Sequence, residues 1–269
     1  MTAVYHAVDP PHLDQALRSL ADQTLRPTRC IVVADGPLTK DLEAVILRFT
    51  RILPLHVVRL PGHSGSGPAK QAGLEASDAP YVAIADADDI SIPVRLEYQA
   101  RLMQESNADL LGAAMEEFDA ESGEVLGIRT FPTSHEEVAA LMQKVNPINH
   151  PTVCVRRETA LHAGGYLDLP YLEDYDLCAR MLARGATAAN HPQPLVRFRG
   201  GAASLARRRA KGVAASEWRL QQNLVCYGLI TWPRAVWNMV VRTGFRCLPG
   251  WLMRRMYQRI FLSVAPSTH

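Results

Sequence analysis

Across the first hundred residues, short β-branched runs alternate with stretches of helical period, and this alternation restricts the fold more than any other feature. "RCIVVA" (29–34), "LHVVRL" (55–60) and "YVAIA" (81–85) are apolar with little polar alternation, the pattern of strands covered on both faces. Between them, "PPHLDQALRSLADQ" places Leu13, Leu17 and Leu20 on one helical face, with Asp9 as N-cap and prolines in the first turn. "TKDLEAVILRF" and "GPAKQAGLEAS" read likewise, the latter with Ser66 as cap and Pro68 at the first helical position. Alternating strands and helices predict a parallel sheet covered by helices. Ligands bind such sheets beyond the carboxyl ends of the strands. "ADG" (34–36), "PGHSGSG" (61–67) and "DADD" (86–89) all fall there.

From about residue 105 the rhythm changes. "ADLLGAAMEEFD" and "VLGIRTFP" predict longer, antiparallel strands, followed by a helix in "SHEEVAALMQKV" with Ser134 as cap and Glu137 in the third position. A helix through "YLEDYDLCARMLARG" should end at Gly185. The chain of 269 residues therefore reads as an α/β domain over 1–204, parallel over 1–100 and mixed over 101–204, with a tail over 205–269. Five scattered cysteines without a C-x-x-C pair argue against a disulfide framework or a zinc site and suggest a reducing cytoplasm. "MTAVYHAVDPP" shows no secretory pattern.

The chemistry concentrates at the strand ends. Asp86, Asp88 and Asp89 lie within four positions, and like charges so close repel unless a cation sits among them. A few hard oxygen ligands, leaving room for phosphate oxygens, suit Mg²⁺ or Mn²⁺; alone, the same residues also read as turn and capping aspartates. Asp35 can accept hydrogen bonds from a base or ribose, or serve as an Asp-Gly turn residue. "GHSGSGPAKQAG" matches neither named phosphate motif, which leaves a helix start with Lys70 in its first turn, able to hold a phosphate or simply solvated. Glu173, Asp174 and Asp176 open a helix, where capping competes with a general-base role near a reacting hydroxyl. Asn149 and His150 in "NPINHP" are candidates for the acceptor side, His150 equally as a ligand or core histidine.

Taken in order, "SLADQT", "IVVADGPLT", "GLEAS", "IADADDISIPVRLEYQ", "NHPTV", "GGY" and "EDYDLCARML" resemble the family 2 glycosyltransferases, most of all the bacterial enzymes that build exopolysaccharide or lipopolysaccharide, amylovoran-type transferases included. The resemblance covers about residues 3–209. It implies the GT-A fold: a Rossmann-like nucleotide-binding half, a mixed-sheet acceptor half and, here, a basic amphipathic helical tail. It implies an inverting transfer from a UDP-, GDP- or dTDP-sugar to a lipid-linked or saccharide acceptor. By position, Asp35 and Lys70 go to the nucleotide, Asp86, Asp88 and Asp89 to the metal and diphosphate, and Asp174, beside Glu173, to the catalytic base. The sequence departs from the family in two places: only Met1–Ala3 precede Val4-Tyr5, so that either the start lies upstream or the first strand is short, and "ADG" carries alanine where many members have a second aspartate. The alternative reading is a nucleotide-sugar-binding or scaffold subunit without turnover.

The net charge of +2 hides an asymmetry: residues 1–204 carry 18 Lys and Arg against 26 Asp and Glu, and residues 205–269 carry 11 against 1, with all four tryptophans. Arg208, in the run Arg207–Arg209, is a further candidate for the diphosphate, or part of a solvated linker. Beyond it, arginines and Pro233 interrupt every apolar run before the roughly 20 residues that span a bilayer. Helices with Trp, Leu and Met on one side and Arg on the other would lie on an anionic membrane surface, which predicts a peripheral protein at the inner face of the cytoplasmic membrane, or else pack on the catalytic domain. Nucleic acid is not an expected partner, because the remainder is acidic and no recognition module appears.

Overall fold

The computed structural model describes residues 1–201 and 212–263. Strands β1 (Thr2–Val4), β2 (Cys30–Ala34) and β3 (Leu55–Arg59) run parallel, in that order. β2 is buried along its whole length because helices cover both faces. Leu13 and Leu17 of α1 (Pro10–Ala21) and Leu42, Ile46 and Phe49 of α2 (Lys40–Phe49) pack with Val32 on one face. Ala69 of α3 (Ser66–Glu75) packs with Ile31 and Val33 on the other. The unbroken apolar run of β2 follows from this two-sided burial.

Met1 joins the parallel strands to the second half. Its ammonium donates to the Ala83 carbonyl at 2.6 Å, and its own carbonyl accepts from the Ala85 N–H at 2.9 Å, so β4 (Tyr81–Ala83) lies beside β1. Burial pushes the pKa of that ammonium down. Beyond β4 the pairing turns antiparallel, to β8 (Cys154–Arg156) and then β6 (Leu110–Asp119). β6 carries β7 (Val125–Arg129) antiparallel on one edge and β9 (Ala188–Gly200) parallel on the other, and β9 also holds β5 (Ile90–Ser91). A cavity of about 290 Å³ runs along β4 from the amino end of β2, lined by Met1, Cys30, Ile31, Tyr81, Ala83 and Ala85 among others.

The remaining helices of the second half are α4 (Arg95–Glu105), α5 (His135–Met142), α6 (Arg157–His162) and α7 (Glu173–Ala183). Ser134 caps α5 as its sequence predicts, accepting from the Glu137 N–H, and its hydroxyl also donates to the Glu137 carboxylate at 2.8 Å. Gly185 ends α7 with φ of +86°, also as predicted. The start of α3 differs from expectation: Gly65, at φ of +93°, is the N-cap, so Ser66 and Pro68 lie inside the first turn.

The tail forms α8 (Val213–Cys226), α9 (Trp232–Cys247), α10 (Gly250–Phe261) and a two-residue β10 (Leu262–Ser263) antiparallel to β7. Leu220, Leu224, Ile230 and Ala235 enter the same core as Leu110, Met142 and Leu177. Among the described residues no helix is long and apolar enough to cross a membrane.

Candidate active site

At the carboxyl end of β2, Asp35 is buried and its carboxylate turns onto the loop before α3. It accepts from the Ser64 N–H at 2.6 Å and the Gly65 N–H at 3.0 Å, and His63 Nδ1 lies 2.8 Å from it. Asp35 therefore shapes the glycine-rich loop; the rings of Tyr5, His6 and His63 cluster beside it. Gly36 needs to be glycine here, since its φ is +85° and a Cβ would lie 2.8 Å from the His63 nitrogen.

Asp86, Asp88 and Asp89 follow β4 as predicted. Asp89 is buried and one oxygen accepts from the Arg199 N–H of β9 at 2.8 Å, while the Arg199 side chain donates to the Asp88 carbonyl at 2.9 Å. The other oxygen, Oδ2, is buried without a hydrogen-bond partner. Burial first, then the charges of Asp88 and Asp86, holds Asp89 well above the usual carboxylate range, and burial raises Asp86 as well. An orphaned oxygen among mutually repelling carboxylates fits a hard divalent cation. Among the described residues no group of three or more acidic, histidine or cysteine side chains is placed to hold a metal ion by itself.

Lys70, on α3, meets the first residue of α7: its Nζ lies 3.0 Å from Glu173. Burial opposes the Lys70 charge, but Glu173, Asp86 and Asp174 together hold its pKa up. Burial would raise Glu173, yet the Lys70 charge together with hydrogen bonds from Ser66, Lys70 and the backbone brings the carboxyl below its ordinary value. Lys70 also acts on Asp86, so one buried ammonium serves acids from the strand end and from α7. Asp174 accepts from Asn146 Nδ2 at 3.0 Å. Burial, then the Glu173 charge, pushes its pKa up to about 6. A carboxylate so tuned can take a proton near neutral pH.

His150 Nε2 lies 3.1 Å from the Tyr166 hydroxyl, and the Lys70 ammonium lies 5.9 Å from the Tyr166 ring centre. Burial, then Lys70 and Arg95, holds His150 well below the usual imidazole value, which keeps it neutral. Asn149 departs from the acceptor-lining expectation: it is buried and its amide donates to the Ala113 and Arg129 carbonyls, bracing the loop from within. Arg208 lies outside the described residues.

Tyr166 and Asn146 carry no local sequence signal, because long-range packing brings them in. Gln71 accepts from the Tyr166 N–H at 2.7 Å, and Arg180, paired with Asp176 at 2.7 Å, donates to the Ala163 and Gly165 carbonyls. Tyr171, two residues before Glu173, is exposed at a positive φ of 69°, a strained position for a bulky residue.

A helix-covered parallel half, a mixed-sheet half and carboxylates at the junction define the class as a GT-A glycosyltransferase. A profile described as glycosyl transferase family 2 matches residues 2–165, and the chain belongs to that family. It is 35% identical over 262 residues to an uncharacterized glycosyltransferase of Haemophilus influenzae, covering 96% of each. It is 34% identical to the amylovoran biosynthesis glycosyltransferase AmsE of Erwinia amylovora, covering 96% of this chain and 97% of AmsE. It is 28% identical to an Escherichia coli UDP-Gal:alpha-D-GlcNAc-diphosphoundecaprenol beta-1,3-galactosyltransferase, covering 97% and 94%. Among solved structures, the fold resembles Staphylococcus aureus TarS 1–349 in complex with UDP-GlcNAc (TM-score 0.60, 16% identity, 84% of this chain and 70% of that one). It also resembles the Pyrobaculum calidifontis mannosyltransferase PcManGT with GDP-Man and Mn²⁺ (TM-score 0.58, 15% identity, 96% and 79%).

Proposed function

We propose that the protein is an inverting glycosyltransferase that moves a sugar from a nucleotide-sugar donor to a lipid-linked or saccharide acceptor of a bacterial surface polysaccharide. The observation that carries this reading is the buried Lys70, whose charge acts on Asp86 from the strand end and on Glu173 and Asp174 from α7. Asp174 is the general base, accepting the acceptor hydroxyl proton as that oxygen attacks the anomeric carbon. Asn146 orients it, and Lys70 and Glu173 set the local charge. Asp86, Asp88 and Asp89 would hold Mg²⁺ or Mn²⁺, which when bound supplies positive charge against the departing diphosphate. Asp35 positions the loop that borders the base, and His150 with Tyr166 lines the acceptor side. The acceptor of the Escherichia coli relative, a diphosphoundecaprenol lipid, supports a lipid-linked acceptor here. On this reading the reaction runs at the inner face of the cytoplasmic membrane, with the tail helices α8–α10 toward an anionic surface.

The test is a screen of UDP-, GDP- and dTDP-sugars for nucleotide release, with Mn²⁺ or Mg²⁺ and a membrane extract as acceptor. Release with one donor class that needs the ion and is lost in Asp88→Ala supports the reading. Donor binding with no release under any condition would leave a binding subunit instead.

A further inference from the structure

The arginines and tryptophans of the tail separate in an unexpected sense. Glu217 of α8, the one acid of residues 205–269, is buried between Arg242 and Arg246 of α9, each at 2.7 Å. The same face of α9 buries Ala235 and Asn238, and the Asn238 amide donates to the Gln143 carbonyl and to Gln221. These bonds fix which side of α9 faces the protein. The opposite side carries Trp232, Val236, Trp237, Val240 and Val241, each more than half exposed. Spacings of four align Trp232, Val236 and Val240 in one row and Trp237 and Val241 in the row beside it, which together cover the exposed half of the helix, and Trp218 of α8 extends the patch, its ring 6.3 Å from that of Trp232. A continuous apolar patch on an otherwise satisfied helix is a docking surface.

We infer that this stripe, Trp218 with Trp232, Val236, Trp237, Val240 and Val241, is a wedge that seats in the interfacial layer of a lipid bilayer. The inference rests on the lipid-linked acceptor proposed above and goes beyond it by naming the face and the force. Two features favour lipid over a second copy. Tryptophan is the residue that prefers the headgroup boundary, apolar ring inward and N–H at the wet edge. A twofold interface sets a patch against itself, and the described tail, with Arg219, Arg234, Arg254, Arg255 and Arg259 beyond the pair held by Glu217, would bring like net charge against like. Anionic headgroups complement the same charge. Because Arg242 and Arg246 are held by Glu217, apolar insertion dominates and basic residues add to it. Docking is also fastened to the site: Asn223 and Tyr227 of α8 both donate to Asp176, at 2.8 and 3.0 Å, two residues beyond Asp174.

Flotation of the full chain with phosphatidylcholine vesicles, with and without phosphatidylglycerol, tests this directly. Wild type and Asp174→Asn should float equally, so the outcome does not depend on turnover. The triple variant Trp232→Ser, Trp237→Ser, Val240→Ser should lose at least about tenfold in partitioning while its far-ultraviolet dichroism and its urea unfolding midpoint stay native, since all three side chains are exposed. Binding of the wild type should persist at about 1 M salt, where the screening length is only about 3 Å. Tryptophan emission should be quenched by lipids brominated near the headgroup. Unchanged flotation of the triple variant, loss of wild-type binding in high salt, or a wild-type dimer that the triple variant dissociates would each overturn the inference. Loss of transferase activity with intact flotation would instead count against the catalytic reading alone.

Discussion

Replacing Glu173 with glutamine should move the acid limb of turnover downward. Asp174 sits at about 6, raised first by burial and then by the Glu173 charge, with Lys70 pulling the other way. Glu173→Gln keeps the shape, removes one negative charge and releases the Lys70 ammonium from its pair, so both changes favour ionised Asp174. A single neighbouring charge moves a carboxylate by roughly one to three pH units. Because burial remains, about one unit is expected, equivalent to about 1.4 kcal/mol. The limb should therefore fall by about one pH unit relative to the wild type. Asn146→Ala should do the reverse, since it removes a hydrogen bond to the charged form at 3.0 Å. The assay is kcat against pH at saturating donor and metal, where the limb reports the bound complex. Bound diphosphate adds the same offset to every variant, so the differences survive it. A common limb in all three proteins, or an upward move in Glu173→Gln, would refute the assignment of Asp174.

Two further predictions concern stability. Gly67→Ala places a Cβ 2.3 Å from the Leu167 carbonyl oxygen, where α3 meets the loop leading to Glu173; urea unfolding should show a loss of about 1–3 kcal/mol, and an unchanged midpoint would mean the loop is free to retreat. Glu217→Ala leaves Arg242 and Arg246 without their buried partner and should cost about 3 kcal/mol. The Glu217 pKa is lowered in the folded state, because its arginines outweigh burial. The wild type should therefore hold this stabilisation above the unfolded carboxylate value of about 4.3 and lose it as pH falls through the folded value. A variant with the wild-type pH dependence below pH 5 would contradict the ion-pair account.

Much of this was legible in the sequence, for reasons that differ by element. β2 reads as a buried strand because covering both faces leaves no room for polar alternation, and Ser134 with Glu137 reads as a cap because the bonding is local. The aspartates after β4 and the pair at the start of α7 stand out because carboxylates so crowded need a physical reason. Local signals fail where partners are distant in sequence. Tyr166 reaches Lys70 only through packing of the loop held by Gln71 and Arg180. Asp35 reads as a ligand for a base, and no local pattern shows that its oxygens also accept from backbone N–H groups about thirty positions on. The tail shows its amphipathic period but not its orientation, since long-range partners, Glu217 for Arg242 and Arg246 and the Gln143 carbonyl for Asn238, turn that face inward and leave the tryptophans outside.

The measurement closest to the central claim compares donor affinity and transfer in the wild type and Asp174→Asn, using the donor and ion that the screen selects. Asparagine keeps the size and the neighbours of Asp174 but cannot take the acceptor proton. Donor affinity by calorimetry should therefore remain within about threefold, while turnover to glycosylated acceptor falls by about 10²- to 10⁴-fold. Turnover within tenfold of the wild type, with donor affinity intact, would contradict the account and move the base elsewhere in the site.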